Sequence, residues 1–417
     1  MQQSKRPIWI AYLGNIFEHY DTALYGLLSP FFAPLFFPNH HPITALILTY
    51  GIMPLGLLAK PLGSLIFGYL GDIYGRQKAI SFSFLGIAIV SAFTAFLPTA
   101  HTIGAWAPVL LALAKTLQVF FAAGESAGGG IYLLEQADEK KQDIVSSFYG
   151  ASTIFGIFIA SIGVSTLYYL GWMDLGWRVL YLIGTVTAVC AWLIRKRQPI
   201  VIRTAGKKEE LWHHLKVCWE ARRTVIPIAI ATGFSYSTFM IALFLMNGFI
   251  PLISSYSKAD MMHISTFLLF LDCAASPFFG LLAQRYTREK VMLAAAACAG
   301  ITSIPLFMLL PGASLSMIIA VRVIMVMMSV CFSASYYAWC QKLVPASCRY
   351  TVVSFSCSIG AQLLGSPTAA ISLWLFHETG MVACTGLYWA ALGLLSYLSI
   401  KSLGRSSALA LETQVNL

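Results

Sequence analysis

Apolar runs of bilayer-crossing length recur from one end of this chain to the other. A helix needs about 20 apolar residues to cross the hydrocarbon core of a membrane. Runs of that order lie near 8–37, 44–70, 79–98, 104–134, 146–171 and 177–194. A second set lies near 224–255, 261–283, 291–311, 314–340, 350–376 and 380–403. The runs are continuous and lack the alternation of a barrel strand, which excludes a β-barrel. Charged residues make up 11% of the chain, against roughly 25% in soluble domains. The prediction is an all-α membrane protein with twelve transmembrane helices.

The net charge of +10 raises the question of nucleic acid or anionic lipid as a partner, and its distribution answers it. Lys258 alone among Lys and Arg falls in an odd-to-even loop, while Lys60, Lys115, Arg178 and Arg322 lie in or at the edge of helices. All the others sit at the termini or in even-to-odd loops. This is the positive-inside pattern, and it predicts cytoplasmic termini. The surplus orients the protein and needs no nucleic acid.

One stretch, RKRQPIVIRTAGKKEELWHHLKVCWEARR (195–223), breaks the hydrophobic rhythm. It reads as a solvated linker with a basic anchor, weakly amphipathic around Leu211, Trp212 and Leu215. The chain divides accordingly into a six-helix bundle over 1–194, a cytoplasmic connector over 195–223, a second bundle over 224–403 and a short tail over 404–417. Two bundles joined in this way make a transporter, with its substrate site between them near the midplane. The first run is too long for a cleavable signal peptide and carries acids, so it is expected to be a retained span. The nine cysteines include no C-x-x-C pair and read as small core residues rather than disulfides or metal ligands.

Each half repeats a segment. FGYLGDIYGRQK (67–78) follows the second run, and FGLLAQRYTREK (279–290) follows the eighth. Both open on Phe-Gly and end on Lys, and Arg285 and Arg288 echo the basic character of the first copy. The duplication supports a 6 + 6 division by itself.

The first copy resembles the loop signature of the major facilitator superfamily, here as Gly68, Asp72, Gly75, Arg76 and Lys78. Gly71 and Gly75 permit a tight turn, while Asp72 and Arg76 can pair with each other and with neighbouring helix ends. Glu135, at the inner end of the fourth span, is a further partner for Arg76. Breaking this cluster as the bundles rock would give two discrete states. GNIFEHYDTALYG (14–26), SPFFAPLFFP (29–38), LQVFFAAGESAGGGIYLLE (117–135), GWRVLYLIG (176–184) and VPASCRYTVVSFSCSIG (344–360) resemble the metabolite:proton symporters of that superfamily. Those include proline/betaine, shikimate, α-ketoglutarate and citrate carriers. The resemblance implies the major facilitator fold, a bacterial inner membrane and uptake driven by protons. Departures are His19 where that family has Trp, and Lys60 and Lys115 where Arg is usual. The coiled-coil extension of osmosensing proline/betaine carriers has no counterpart after the last run, so the resemblance does not carry that device.

Charge at the bilayer centre costs about 2.5–3.5 kcal/mol on insertion scales, so each buried ion calls for a reason. On the first helix Asn15, Glu18, Thr22 and Tyr25 recur at i, i+3, i+4 spacing, with Asp21 beside them. Asp21 and Glu18 are the expected proton-coupling pair, Asp21 first. Tyr25, Lys60, Lys115, Glu125, Asp272 and Arg322 are the expected substrate residues, the cations holding a carboxylate. The competing reading is that some of these charges neutralise one another across helices. His19 reads as a satisfied contact and Arg178, beside Trp177, as an anchor. Glycines 124 and 128–130 belong to no G-x-x-x-x-G-K-[ST] loop, so ATP is not expected. No H-E-x-x-H metal motif occurs either, which argues against a membrane enzyme.

Function then reads as proton-coupled symport of a small carboxylate-bearing organic solute by a monomer. No cofactor is expected, and the proton is the coupling ion. A proton-driven exporter of drugs or metabolites is the competing expectation.

Overall fold

The computed structural model describes residues 9–74, 76–126, 133–134, 138–196, 219, 221–344 and 349–415. Among them every regular element is helical. In chain order, α1 runs Trp9–Phe36, and α2 is assembled from Pro42–Gly51, a 3₁₀ turn Met53–Leu57 and Ala59–Tyr74. Next come α3 (Arg76–Ala95), α4 (Trp106–Ser126), α5 (Gln142–Tyr169) and α6 (Met173–Lys196). α7 joins Arg222–Phe239 to Met246–Ile253 through a π turn, Met240–Leu245. α8 spans Lys258–Tyr286, α9 Arg288–Met308, and α10 has two pieces, Leu315–Ser333 and Tyr336–Lys342. α11 joins Arg349–Ile359 to Thr368–Thr379 through a second π turn, Gly360–Gly365, and α12 is Leu387–Val415.

Eleven of the described helices are long and apolar enough to cross a membrane, and α1, 28 residues long, packs among them. Polarity runs opposite to that of a water-soluble protein. Leu58, Phe96 and Ile301 are 71%, 74% and 76% exposed, whereas Asp21 and Arg322 are fully buried. Lipid accepts the first group, and only the protein interior can satisfy the second.

Within the first half α1 packs on α5 and α6, α3 on α6, and α2 on α4. Within the second, α12 packs on α7 and α9. The halves meet where α5 lies along α8 and α2 along α11. Small and hydroxyl-bearing residues line the first of these seams. Ser161 and Thr266 share a hydrogen bond of 2.7 Å, Ser165 lies 2.9 Å from His263 Nδ1, and Ser276 donates to the Ser147 carbonyl at 2.9 Å. Small side chains let helix backbones approach, which is how helices associate where lipid removes the hydrophobic drive.

The structure departs from the apolar pattern at the breaks. The second run, continuous in hydropathy, bends at Pro54 in the 3₁₀ turn. The π turns in α7 and α11 carry no periodicity signal, and the last helix continues beyond 403 to Val415. The amphipathic stretch expected in the connector lies outside the described residues.

Candidate functional site

Asp21 sits near the middle of α1 with no exposed surface. Three other helices of the first half close around it. Ser91 of α3 donates to Oδ1 in a short hydrogen bond. Gln118 of α4 donates to Oδ2 at 2.5 Å and to the Asp21 carbonyl at 3.2 Å. From α6, Gly184 presents bare backbone, and a Cβ there would collide with Oδ1. The same glutamine faces a cation. Lys115 Nζ donates to Gln118 Oε1 at 2.8 Å and to the Thr22 carbonyl at 3.2 Å, and lies 5.2 Å from the Tyr25 ring centre. Gln118 thus connects the buried acid to the buried amine. Beside them is a cavity of about 10 Å³ whose lining includes Tyr25, Lys115, Gln118 and Tyr181, the space of roughly one water molecule.

The other polar residues of α1 point elsewhere. Successive positions three apart rotate by about 60° around a helix, and the packing separates them further. Asn15 donates to Ser152 Oγ and Thr153 Oγ1 of α5, at 2.7 and 2.9 Å. Thr22 donates to the Glu18 carbonyl at 2.6 Å, and His19 Nδ1 lies 2.9 Å from the Asn15 carbonyl. Glu18 turns to the seam between the halves, within electrostatic reach of Lys60 on α2 and Tyr337 on α10. Tyr337 meets the Tyr149 ring of α5 edge-on at 5.4 Å. Nearby, Ser64 of α2 and Ser358 of α11 share a hydrogen bond of 3.2 Å. The expected single polar stripe is therefore three patches, and Asp21 and Glu18 occupy different ones. Arg178, as expected of an anchor, donates to the carbonyls of Ala95 and Leu97 at 2.8 Å.

Arg322 and Asp272 do not join the lysines. The Arg322 guanidinium is enclosed in the second half, against the π turn of α7. Its Nε and Nη2 donate to the Ala242 carbonyl at 3.3 and 3.2 Å, and Nη1 donates to the Met261 carbonyl at 3.2 Å. Nη2 also reaches Asn247 Oδ1 at 3.0 Å and Ser265 Oγ at 2.5 Å. Its donors are committed to fixed acceptors, so in this conformation it ties α7, α8 and α10 together. Asp272, 3% exposed on α8, has no hydrogen bond or ion pair among the described residues. The side chains of Gly71, Asp72, Arg76 and Glu125 and the whole of Gly75 and Glu135 lie outside the described part of the structure.

Contacts close both ends of the seam. On the face where α6 ends and α7 begins, the connector face, Arg288 at the start of α9 pairs with Asp143 at the start of α5, 3.0 Å apart. Arg288 also donates to the Ala338 carbonyl at 2.8 Å, and Gln284 donates to the Lys140 carbonyl at 2.7 Å. On the opposite face Tyr50 donates to the Phe244 carbonyl at 2.9 Å, and Lys258 donates to the Pro30 carbonyl at 2.7 Å. Among the described residues the two halves are thus bridged at both ends of the seam.

Sequence reasoning did not single out Ser91, Gln118, Gly184, Asn247, Ser265 or Asp143. Gln118 had a usable signal, since it stands three residues from Lys115 on one helix face. The others are ordinary residue types that acquire a role only from the helix opposite.

An all-helical membrane protein of two bundles, with ionic groups sealed inside it, has the architecture of a membrane transporter. Residues 12–366 match the family model of the Major Facilitator Superfamily, and the chain belongs to that family. It is similar to the proline/betaine transporter of Escherichia coli (strain K12), 25% identical over 95% of this chain and 83% of that one. The proline/betaine transporter of Salmonella typhimurium matches with the same identity and coverage. In fold it resembles the partially occluded inward-open xylose transporter XylE from E. coli, with a TM-score of 0.74 at 13% identity over 95% of this chain and 96% of that one. The human organic anion transporter MFSD10 (TETRAN) gives 0.68 at 13% identity, over 96% and 100%.

Proposed function

We propose that this protein is a proton-coupled symporter. It takes up a small carboxylate-bearing organic solute (an osmolyte, amino acid or organic acid) by alternating access. The observation that carries the reading is the Asp21–Gln118–Lys115 chain. While Asp21 is ionised, its charge and that of Lys115 offset each other through the shared glutamine. A proton on Asp21 removes the negative member and leaves the Lys115 ammonium to take the carboxylate of the solute. Proton binding and solute binding then favour each other, which is the thermodynamic content of symport. Lys60, opposite Glu18 on the seam, provides a second ammonium where the solute must pass between the halves. Arg322 holds the second half rigid beside this path.

The relatives support the solute class, since they are named for proline and betaine. The distribution of Lys and Arg supports a cytoplasmic connector face, and the bacterial relatives support a bacterial plasma membrane; a single chain is the working unit in this reading. Reconstitution in liposomes with an imposed pH gradient tests the reading, with radiolabelled proline, betaine and a panel of organic acids as probes. Wild-type protein should accumulate at least one probe, and Asp21→Asn should abolish accumulation. Unchanged, protonophore-sensitive accumulation by Asp21→Asn would overturn the role given to this acid. Inside-out vesicles under the same gradient separate uptake from export.

A further inference from the structure

Asp272 is the buried acid that the Asp21 mechanism leaves unused. It lies on one face of α8 with Ser265 seven residues before it and Ser276 four after it. Ser265 is held by Arg322 inside the second half, and Ser276 is bonded to the backbone of α5 in the first half. Asp272 therefore sits between a fixed point of one half and a contact that joins the two. When the halves part, the Ser276–Ser147 and Cys273–Ala151 contacts beside it break, and water reaches the carboxyl. When they close, the carboxyl is dry.

Among the described residues no group of opposite charge accompanies it. Across from α8, Asp143 of α5 is paired with Arg288 of α9, and Tyr149 of α5 packs on Tyr337. Arg322 of α10 is committed to α7 and α8, and Cys331 of α10 donates to the Val291 carbonyl at 3.8 Å. Glu289 of α9 pairs with Lys342. The facing part of α7, 240–253, contains no titratable residue. Among the described residues Cys273, whose thiol donates to the Ala151 carbonyl at 3.6 Å, is the one titratable neighbour within electrostatic reach. An isolated carboxylate in an apolar interior is too costly to keep ionised, and such a group takes up a proton instead. Intramembrane acids without a counter-ion mark proton paths.

We propose that Asp272 is a second proton-binding site, loaded in the occluded state and exchanging its proton with water when the seam opens. One carboxylate oxygen takes one proton from water on the side where the cavity is open. It returns that proton to water on the other side after the halves rock. The proposal rests on the reading that this chain moves protons with its solute, but its test needs no solute.

The full-length protein in lipid, titrated over pH and followed by infrared difference spectroscopy, supplies that test. One protonated-carboxyl C=O band should be present in wild type and in Asp21→Asn and lost in Asp272→Asn, distinct from the band of Asp21, which is lost in Asp21→Asn alone. A carboxyl spectrum of Asp272→Asn that superimposes on wild type at every pH would overturn the assignment. Should Asp272→Asn not fold, Asp272→Glu keeps the acid, and its band must shift in frequency; an unshifted band counts against the proposal. Failure of the symport reading shows separately, as accumulation by Asp21→Asn, and leaves the infrared result standing.

Discussion

At Asp21 a single side chain collects donors from two helices and lies against the bare backbone of a third, and its environment depends on each of them. Gln118 is the most exacting partner, because its amide serves the acid with one end and Lys115 with the other. Hydrogen bonds to charged groups contribute about 1.5–3 kcal/mol each. Gln118→Leu removes both while keeping the volume similar. Solute affinity should fall at least ~10-fold, the equivalent of about 1.4 kcal/mol, as read by equilibrium binding to purified protein. Arg322 is the opposite case, a cation whose partners are backbone carbonyls and neutral side chains. Arg322→Met leaves the Ala242 and Met261 carbonyls without their donor, at about 1–3 kcal/mol for each group left unsatisfied. The expected outcome is a clear fall in the thermal unfolding midpoint in detergent. Arg322→Lys should recover part of it, since one ammonium cannot serve acceptors arranged for a planar guanidinium.

Along α1, two prolines explain a contact that neither half would make alone. Pro34 has no N–H, so the carbonyl four residues earlier, on Pro30, receives no helical hydrogen bond. Lys258, at the first turn of α8 in the other half, donates to it. Its ammonium also lies 5.9 Å from the ring centre of Phe31, which itself packs on Tyr168. The one basic residue in an odd-to-even loop is thus a latch across the face opposite the connector. Two substitutions reach the same contact from either side. Lys258→Ala removes the donor, and Pro34→Ala supplies a helical N–H that competes for the acceptor. Both should raise the rate at which a membrane-impermeant maleimide labels Ser29→Cys, a buried position next to Pro30. Labelling at the wild-type rate in both variants would show that the latch does not hold this face shut.

Across the molecule, closure at both faces means that transport requires one set of contacts to break while the other holds. On the connector face the Asp143–Arg288 pair spans the two halves and is mostly shielded from water. Removing one partner of such a pair is destabilising by about 3–5 kcal/mol when it is fully buried, and by less at partial exposure. Here that cost falls on the closed arrangement. Asp143→Arg should therefore shift the population toward opening at the connector face, seen as a longer spin-label distance between Lys141→Cys and Arg285→Cys. Adding Arg288→Asp, which restores the pair in reverse, should return the distance toward its wild-type value. No recovery in the double variant would mean that the charges do not act on each other.

The twelve spans were legible because a bilayer tolerates few other sequences. Apolar runs of the right length, with Lys and Arg gathered at alternate ends, leave one class of fold. Asp21, Glu18, Lys60 and Lys115 stood out for the same reason, since a charge in such a run is too costly to be incidental. What each charge faces was not legible. Asn15, Glu18 and Asp21 share one helix yet look to three different neighbours. That outcome is set by the rotation and register of α2, α3, α4, α5 and α6, which no local pattern records. Gln118, Ser91 and Gly184 carry no signal until those helices are placed. The π turn at Met240–Leu245 contains neither glycine nor proline, and it arises where freed carbonyls find Arg322, Tyr50 and Ser265. Composition and periodicity determine how much chain must lie in lipid, because that is a property of each segment alone. Partnership among buried polar groups belongs to pairs of segments distant in the chain, so it emerges only when the helices pack.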